Sequence, residues 1–446
     1  MWNTKTGVSA WILCFAYICG LIAGCTSANK IVNFVNDSPL FACLLPIQIT
    51  QCAISRFFAK PFAWLAVSIG RIARLQEKPE CRLQDGDIIG VDDTKVLHPF
   101  AKSLPFLCWL FDYSNKYHVW CMNIVTTIAV LKNGLEHPLF WRFWIKGQHD
   151  CDKKSKIELA KQMLLDLRSV TQARLIVSFD RWFLCKKFFV WLMENNYDWV
   201  TKAKCNTSLF RIIFDPVRQK EIFVKVSATY LLREVYPKLR LLKPGQALNL
   251  PGIYIQLPYQ TTTKKGKPIT RQRYVPIAAV VATYSEPVAY DPGIIVTEEE
   301  AAATYKDAYL LISNRLDDPN AAFQGYVKRW RIEVFYRMAK QDFALNSCSA
   351  RTEAAHFAHL KLIFTAITLL SYATWKQKGE GVEQAPTISE IARCFFNASY
   401  RISCCNQQIQ VYFDTATERF ASLFEMFWSK KFSMKLYCWD ILPASA

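Results

Sequence analysis

A chain of 446 residues that is 52% apolar has material for two or three domains with real cores, and it carries no internal repeat or low-complexity tract. Its 55 Lys and Arg against 37 Asp and Glu leave a formal charge of +18, which suits a polyanionic partner such as nucleic acid or an anionic membrane. Sixteen cysteines, none in a C-x-x-C pair, argue against a disulfide framework and for free thiols in a reducing compartment.

The N-terminal region, residues 1–84, is read as helical. Residues 6–29 carry no charge, and Val8–Gly24 is long enough to invite a membrane span. Ile22-Ala23-Gly24-Cys25 has the form of a lipoprotein cleavage box, but only Lys5 supplies a positive n-region. The segment is read as a buried helix, with a membrane segment as the alternative.

From residue 85 the pattern turns to strands. Ile88–Val91 is a short apolar strand that runs into Asp92-Asp93-Thr94. His118–Leu131 is a long β-rich run, Lys132-Asn133-Gly134 a hairpin signal, and Leu135–Ile145 the return strand, with a bulge at Pro138. Lys153–Val170 has helical spacing through Ile157, Ala160, Leu164 and Leu167. Leu175–Phe179 is a buried-type strand ending at Asp180, followed by a helix over Phe183–Glu194 and a strand over Tyr197–Lys202. A three-strand meander followed by helix, strand, helix and strand is the order of an RNase H-like α/β fold. Residues 85–204 and 313–378 are assigned to that core. Between them, 205–312 reads as a β-rich insertion, with strands at Leu209–Phe214, Gly252–Leu257, Tyr274–Tyr284 and Tyr309–Ser313. Its turn over Thr261–Arg273 holds five cations and no acid: Lys264, Lys265, Lys267, Arg271 and Arg273. Such a loop suits contact with a DNA backbone, or is simply a solvated hairpin tip.

The stretch Tyr326–Lys340 is the most informative. At about 100° per residue, Tyr326, Arg329, Glu333 and Lys340 share a stripe about 60° wide, which Arg337 and Trp330 widen. Val334, Phe335, Met338 and Ala339 form the apolar face, although Lys328 and Arg331 point into it. A carboxylate ringed by cations could hold a metal ion while its neighbours grip phosphates; the bland alternative is a solvated helix laced with ion pairs. His356 and His359 are read as ordinary helix residues, since no other ligand lies near them. Residues 379–446, with a Phe- and Trp-rich end, are assigned to a helical C-terminal region.

The spacing Y-x2-R-x3-E-x6-K, with Trp330 directly after Arg329, resembles the signature of bacterial insertion-sequence transposases of the DDE type. Lys340-Gln341-x-Phe343-x-Leu345, the apolar run Arg351–Trp375 and the Ser55-x-Phe57-Phe58…Trp64 pattern are also similar to that family. The resemblance implies an RNase H-like core interrupted by a β-rich insertion, an α-helical N-terminal DNA-binding region, and two further aspartates, each just past a strand. Asp180 and Asp92 stand there; Asp92-Asp93-Thr94 fits the family's D-x-T with Asp92 as the ligand and Asp93 as its competitor. It further implies that Asp92, Asp180 and Glu333 hold two Mg²⁺ (or Mn²⁺) ions for cleavage at transposon ends and transfer of the 3′-hydroxyl to target DNA. Arg329 and Lys340 would contact phosphates, Tyr326 the backbone, and Trp330 an unpaired base. The partners implied are double-stranded DNA and a second copy in a paired-end homodimer, in the cytoplasm and away from any membrane. An RNase H-like nuclease or resolvase without strand transfer, a decayed copy that binds but does not cut, and a membrane-anchored basic protein are the alternatives.

Overall fold

The computed structural model describes residues 8–38, 41, 48–146, 154–239, 247–263, 266–282, 308–379, 387–389, 400–405, 408–413 and 438–440. Among the described residues four helices open the chain: α1 (Ala10–Ile22), α2 (Ala28–Asp37), α3 (Gln51–Phe58) and α4 (Trp64–Glu77). Ser9, Ser27 and Thr50 cap the first three by accepting a backbone N–H from the first turn. Within Val8–Gly24 the helix thus spans 13 residues, and α1 buries Leu13, Phe15, Tyr17 and Ile18.

The centre is an eleven-stranded sheet of mixed direction. Its first strands are β1 (Ile88–Leu97), β2 (Leu107–Asp112), β3 (Tyr117–Val130) and β4 (Glu136–Trp144). The turn from β3 to β4 uses Gly134 at φ 85°, where a side chain would be strained, and Asn133 Oδ1 accepts from Leu135 N at 3.0 Å. The register shifts between Thr126 and Ile128, and Ile128 stands opposite Pro138: the expected bulge. Helix α5 (Lys156–Arg168) starts in a capping box of Ser155 and Glu158. Then come β5 (Ile176–Phe179), α6 (Lys186–Glu194) and β6 (Asp198–Lys202). β1 pairs antiparallel with β3 and parallel with β5, and β5 pairs parallel with β6.

The segment read as an insertion continues this same sheet. It contributes β7 (Ser208–Asp215), β8 (Lys220–Ser227), helix α7 (Ala228–Leu239), β9 (Leu248–Thr262), β10 (Pro268–Ala282) and β11 (Tyr309–Ser313). β11 pairs directly with β6, and the order runs on through β10, β9 and β7 to β8 at the edge. β8 and α7 are absent from the sequence reading. Pro237 inside α7 hides that helix.

Helices α8 (Pro319–Arg329), α9 (Arg331–Gln341) and α10 (Glu353–Gly379) follow. Asp318 caps α8, with Pro319 at its first position. The two faces of the sheet carry separate cores. Ile88, Ile128, Ile176 and Val200 face α8 to α10 and the N-terminal helices; Ile89, Val91, Val177 and Phe179 face α5 and α6. Helix α10 has the length and apolarity of a membrane span, yet 83% of its most apolar window is buried inside the protein. Farther on, strands at Tyr400–Cys405, Gln408–Phe413 and Cys438–Asp440 form a small separate sheet in the region expected to be helical.

Candidate active site

Two of the three carboxylates come together through strand register. β1 and β5 run parallel, and their last pair is Val91 with Phe179. The next residues on each strand are Asp92 and Asp180. Contrary to the sequence reading, β1 does not end there: it continues to Leu97, paired on its other side with β3 alone. Asp92 therefore sits mid-strand, where the sheet narrows and one edge of β1 is laid bare beside Asp180.

The third carboxylate arrives from above. Helix α8 lies close on the sheet because Gly325 has no side chain: a Cβ there would stand 3.3 Å from both Ile88 Cδ1 and Val200 Cγ1. The single helix expected over Tyr326–Lys340 is broken at Trp330, where Trp330 N bonds back to Val327 O and Glu333 N to Trp330 O in tight three-residue steps. The break leaves Trp330 52% exposed and turns Arg331 outward onto Glu136 of β4, which relieves its misfit on the apolar arc. The four-residue offset of Arg329 and Glu333 survives it. Arg329 Nη1 lies 2.9 Å from Asp92 Oδ2 and its Nη2 lies 2.8 Å from Glu333 Oε1, so one guanidinium bridges two of the expected ligands. Tyr326, expected on a DNA-facing stripe, is instead buried, with its ring 5.3 Å beneath the Arg329 guanidinium. Tyr336, which the spacing did not single out, donates its hydroxyl to the Asp92 carbonyl at 2.9 Å and ties α9 to β1.

Asp93 points the other way. Its Oδ2 accepts from Asn123 Nδ2 at 2.8 Å and pairs with Lys156 of α5 at 2.7 Å. Lys340 donates to Thr94 Oγ1 at 2.8 Å, and burial lowers its pKa. Asp92, Asp93, Asp180, Lys95, Lys156 and Lys340 all line one open cavity of about 720 Å³. Arg337 lies exposed on α9.

Burial pushes the Asp92 carboxyl up to about 7; Arg329 pulls it down, while Asp93 and Asp180 push it further up. Burial works against the charge on Arg329, but Asp92, Tyr326 and Glu333 outweigh it and raise its pKa. Among the described residues no three acidic, His or Cys side chains converge on a single point, because Asp92 and Glu333 are both turned onto Arg329. The donor set nevertheless fits a hard divalent cation: the groups are carboxylate oxygens, and a carboxyl held this far above its ordinary range gains from added positive charge beside it.

The basic hairpin divides. Lys264 and Lys265 lie outside the described residues. Lys267 is exposed at the turn, but Arg271 and Arg273 stand on β10 itself, since the strands run on to Thr262 and resume at Pro268. Four aromatics line the cavity, Phe111, Tyr113, Trp144 and Trp182, and none is among the site residues that the sequence points to. Trp182 follows Asp180 by two positions, which was the available signal.

A family model described as the transposase DDE domain matches residues 91–369. No curated protein matches. Among solved structures, the cryo-EM structure of a piggyBac transposase synaptic complex with hairpin DNA aligns over 95% of this chain and 75% of that one. At 9% identity and a TM-score of 0.42, that likeness is too loose to carry an argument.

Proposed function

Because the chain belongs to the transposase DDE domain family and is a DDE transposase acting on DNA, we propose that Asp92, Asp180 and Glu333 are its catalytic carboxylates and that it nicks transposon ends and joins the freed 3′-hydroxyl to target DNA. The observation that carries this assignment is the Arg329 bridge between Asp92 and Glu333, with Asp180 beside Asp92 in the strand register. The antiparallel order β4, β3, β1 and the parallel β5 and β6 support an RNase H-like core. Asp93 is set aside as a ligand because its carboxylate turns to Lys156 of α5 and Asn123 of β3 and not to the Arg329 bridge that joins Asp92 and Glu333.

DDE transposases generally use divalent metal ions, and two Mg²⁺ or Mn²⁺ ions held by the three carboxylates would activate the attacking oxygen and neutralise the leaving one. The protein's own groups do the rest. Arg329, positioned by the Tyr326 ring, meets a phosphate next to the scissile bond. Lys340 and Lys156 neutralise backbone at the cavity, while Arg337, Lys267, Arg271 and Arg273, with Lys264 and Lys265, hold flanking DNA. Trp330 is free to stack on a base. The active assembly is a homodimer on paired ends, in the cytoplasm.

The test is cleavage of labelled duplexes carrying the flanking ends of the element's own locus, with Mg²⁺ or Mn²⁺, followed by joining into a supercoiled plasmid. Wild type is expected to nick and join, and Glu333→Gln and Asp180→Asn to do neither. Nicking that persists in both variants overturns the assignment; nicking by wild type without joining favours a nuclease.

A further inference from the structure

We propose that Tyr113 and Trp182 form a seat for one unpaired DNA base at the mouth of the carboxylate cavity. This rests on the transposase reading and adds to it the place of a nucleotide that has left the duplex. The two rings lie 5.2 Å apart at 40° and line the same cavity as Asp92 and Asp180. They are 65% and 58% exposed, a large apolar surface for two side chains that face a charged cleft.

The turns that carry the two rings are fixed by hydrogen bonds. Tyr113 opens the turn between β2 and β3, which Asp112 builds by accepting from Ser114 N and Asn115 Nδ2 while pairing with Lys95. Trp182 stands in the short turn after Asp180, fixed on one side by the Asp180 carboxylate, which accepts from Arg181 N at 2.7 Å, and on the other by the buried Phe183. A seat that keeps its shape before the ligand arrives loses little ordering entropy on binding.

The surroundings select the ligand. Lys95, Lys146, Lys156 and Lys340 line the same cavity with Asp92, Asp93, Asp112 and Asp180; Lys95 and Lys156 pair with Asp112 and Asp93, and Lys146 and Lys340 are left to meet an anionic backbone beside a flat aromatic group. That combination is a nucleotide. A base within a duplex has both faces covered by its neighbours, and only an extruded or single-stranded base offers a face to a ring. Phe111, 5.0 Å from Tyr113, lines the same cavity and extends the aromatic surface along β2. Trp330 does not line this cavity, so the seat is separate from the stacking role proposed for it.

The test compares binding of a short labelled oligothymidylate with that of a labelled blunt duplex by fluorescence anisotropy, at fixed salt. Trp182→Ala and Tyr113→Ala are each expected to weaken oligothymidylate binding about five- to a hundredfold, the range for one lost base stack. Duplex binding, governed by phosphate contacts, should change by less than about twofold. Trp182→Phe and Tyr113→Phe should restore most of the loss. Alanine variants that bind the oligothymidylate like wild type, or lose both DNA forms in parallel, overturn the proposal. So does a wild type that binds the duplex but not the single strand, and that result leaves the transposase reading standing. A wild type that binds neither form strikes at the transposase reading itself.

Discussion

Replacing His359 with Gln should flatten the acid sensitivity of the fold. His359 of α10 is 3% exposed and is held at both nitrogens. Nε2 lies 2.9 Å from the Ala344 carbonyl, which can only accept, so Nε2 carries the proton; Nδ1 then accepts from the Tyr17 hydroxyl of α1 at 2.9 Å. The neutral ring is therefore satisfied, and a second proton would cost the Tyr17 bond. Burial depresses the pKa from its ordinary 6.5 to about 4; the Ala344 bond opposes this, and His356 and His98 add to it. Since the folded value is the lower one, the unfolded chain takes up the proton first. Stability falls as the pH drops below about 6.5, and the loss is complete below about 4. At about 1.36 kcal/mol per unit, the full loss is about 3.4 kcal/mol, of which about 2 kcal/mol is reached by pH 5. Gln can donate to Ala344 and accept from Tyr17 without titrating. Urea unfolding at neutral pH and near pH 5 reads the effect: wild type should lose about 2 kcal/mol more than His359→Gln between the two. Carboxylates and His137, itself depressed to about 3 by burial and the nearby Arg71, contribute equally to both proteins and cancel. Equal losses in wild type and variant would refute the reasoning.

Other perturbations separate the roles assigned at the cleft. Asp92→Asn should abolish nicking, whereas Asp93→Asn and Lys156→Met should each lower it only about 10- to 100-fold, as expected for groups one step removed from the ligands; equal loss in Asp92→Asn and Asp93→Asn would undo the assignment. Arg329→Met removes the cation between Asp92 and Glu333, so Mn²⁺ binding without DNA, followed by electron paramagnetic resonance, should tighten by about tenfold or more. Weaker Mn²⁺ binding in that variant would mean that Arg329 orders the carboxylates rather than screening them. Gly325→Val forces a branched side chain into the contact with Ile88 and Val200, and should cost about 1–3 kcal/mol in urea unfolding. An unchanged midpoint would show that α8 does not seat as closely as described.

How far the sequence reveals this arrangement depends on the range of the interaction concerned. Asp180 was legible because a largely apolar run, Leu175–Phe179 with Ser178 inside it, stops at it, and a buried strand followed by a carboxylate is a local pattern. Glu333 and Arg329 were legible because four-residue spacing keeps two side chains on one helix face, and it did so despite the break at Trp330. That Arg329 also reaches Asp92 was not legible, since 237 residues separate the two and only the folded sheet brings them together. β2 was missed because its alternation is inverted: Trp109 and Phe111 face solvent while the smaller Cys108 and Leu110 pack inward. The burial of Tyr326 was hidden by a hydroxyl that suits either surroundings. The length of β1 is not legible because Asp92 and Asp93 look like a turn, and only pairing with β3 carries the strand past them.

The junction of β6 with β11 also bears on the order of events during synthesis. After Lys202 the chain passes to strands farther along the sheet and returns to the edge of β6 only at Tyr309, where Ser313 Oγ bonds the Trp199 carbonyl and Asn314 joins Asp198. Until Tyr309 has been made, β6 has a bare edge with unpaired amides and carbonyls, the kind of surface on which strands from other chains assemble. Helices α8 and α9, which carry Arg329 and Glu333, are made later still. A nascent chain halted inside the intervening strands would thus hold Asp92 and Asp180 without their counter-ion or third carboxylate. Closure of the sheet and completion of the cleft fall in the same late stretch of translation, so a half-made enzyme is sticky but carries only two of the three carboxylates.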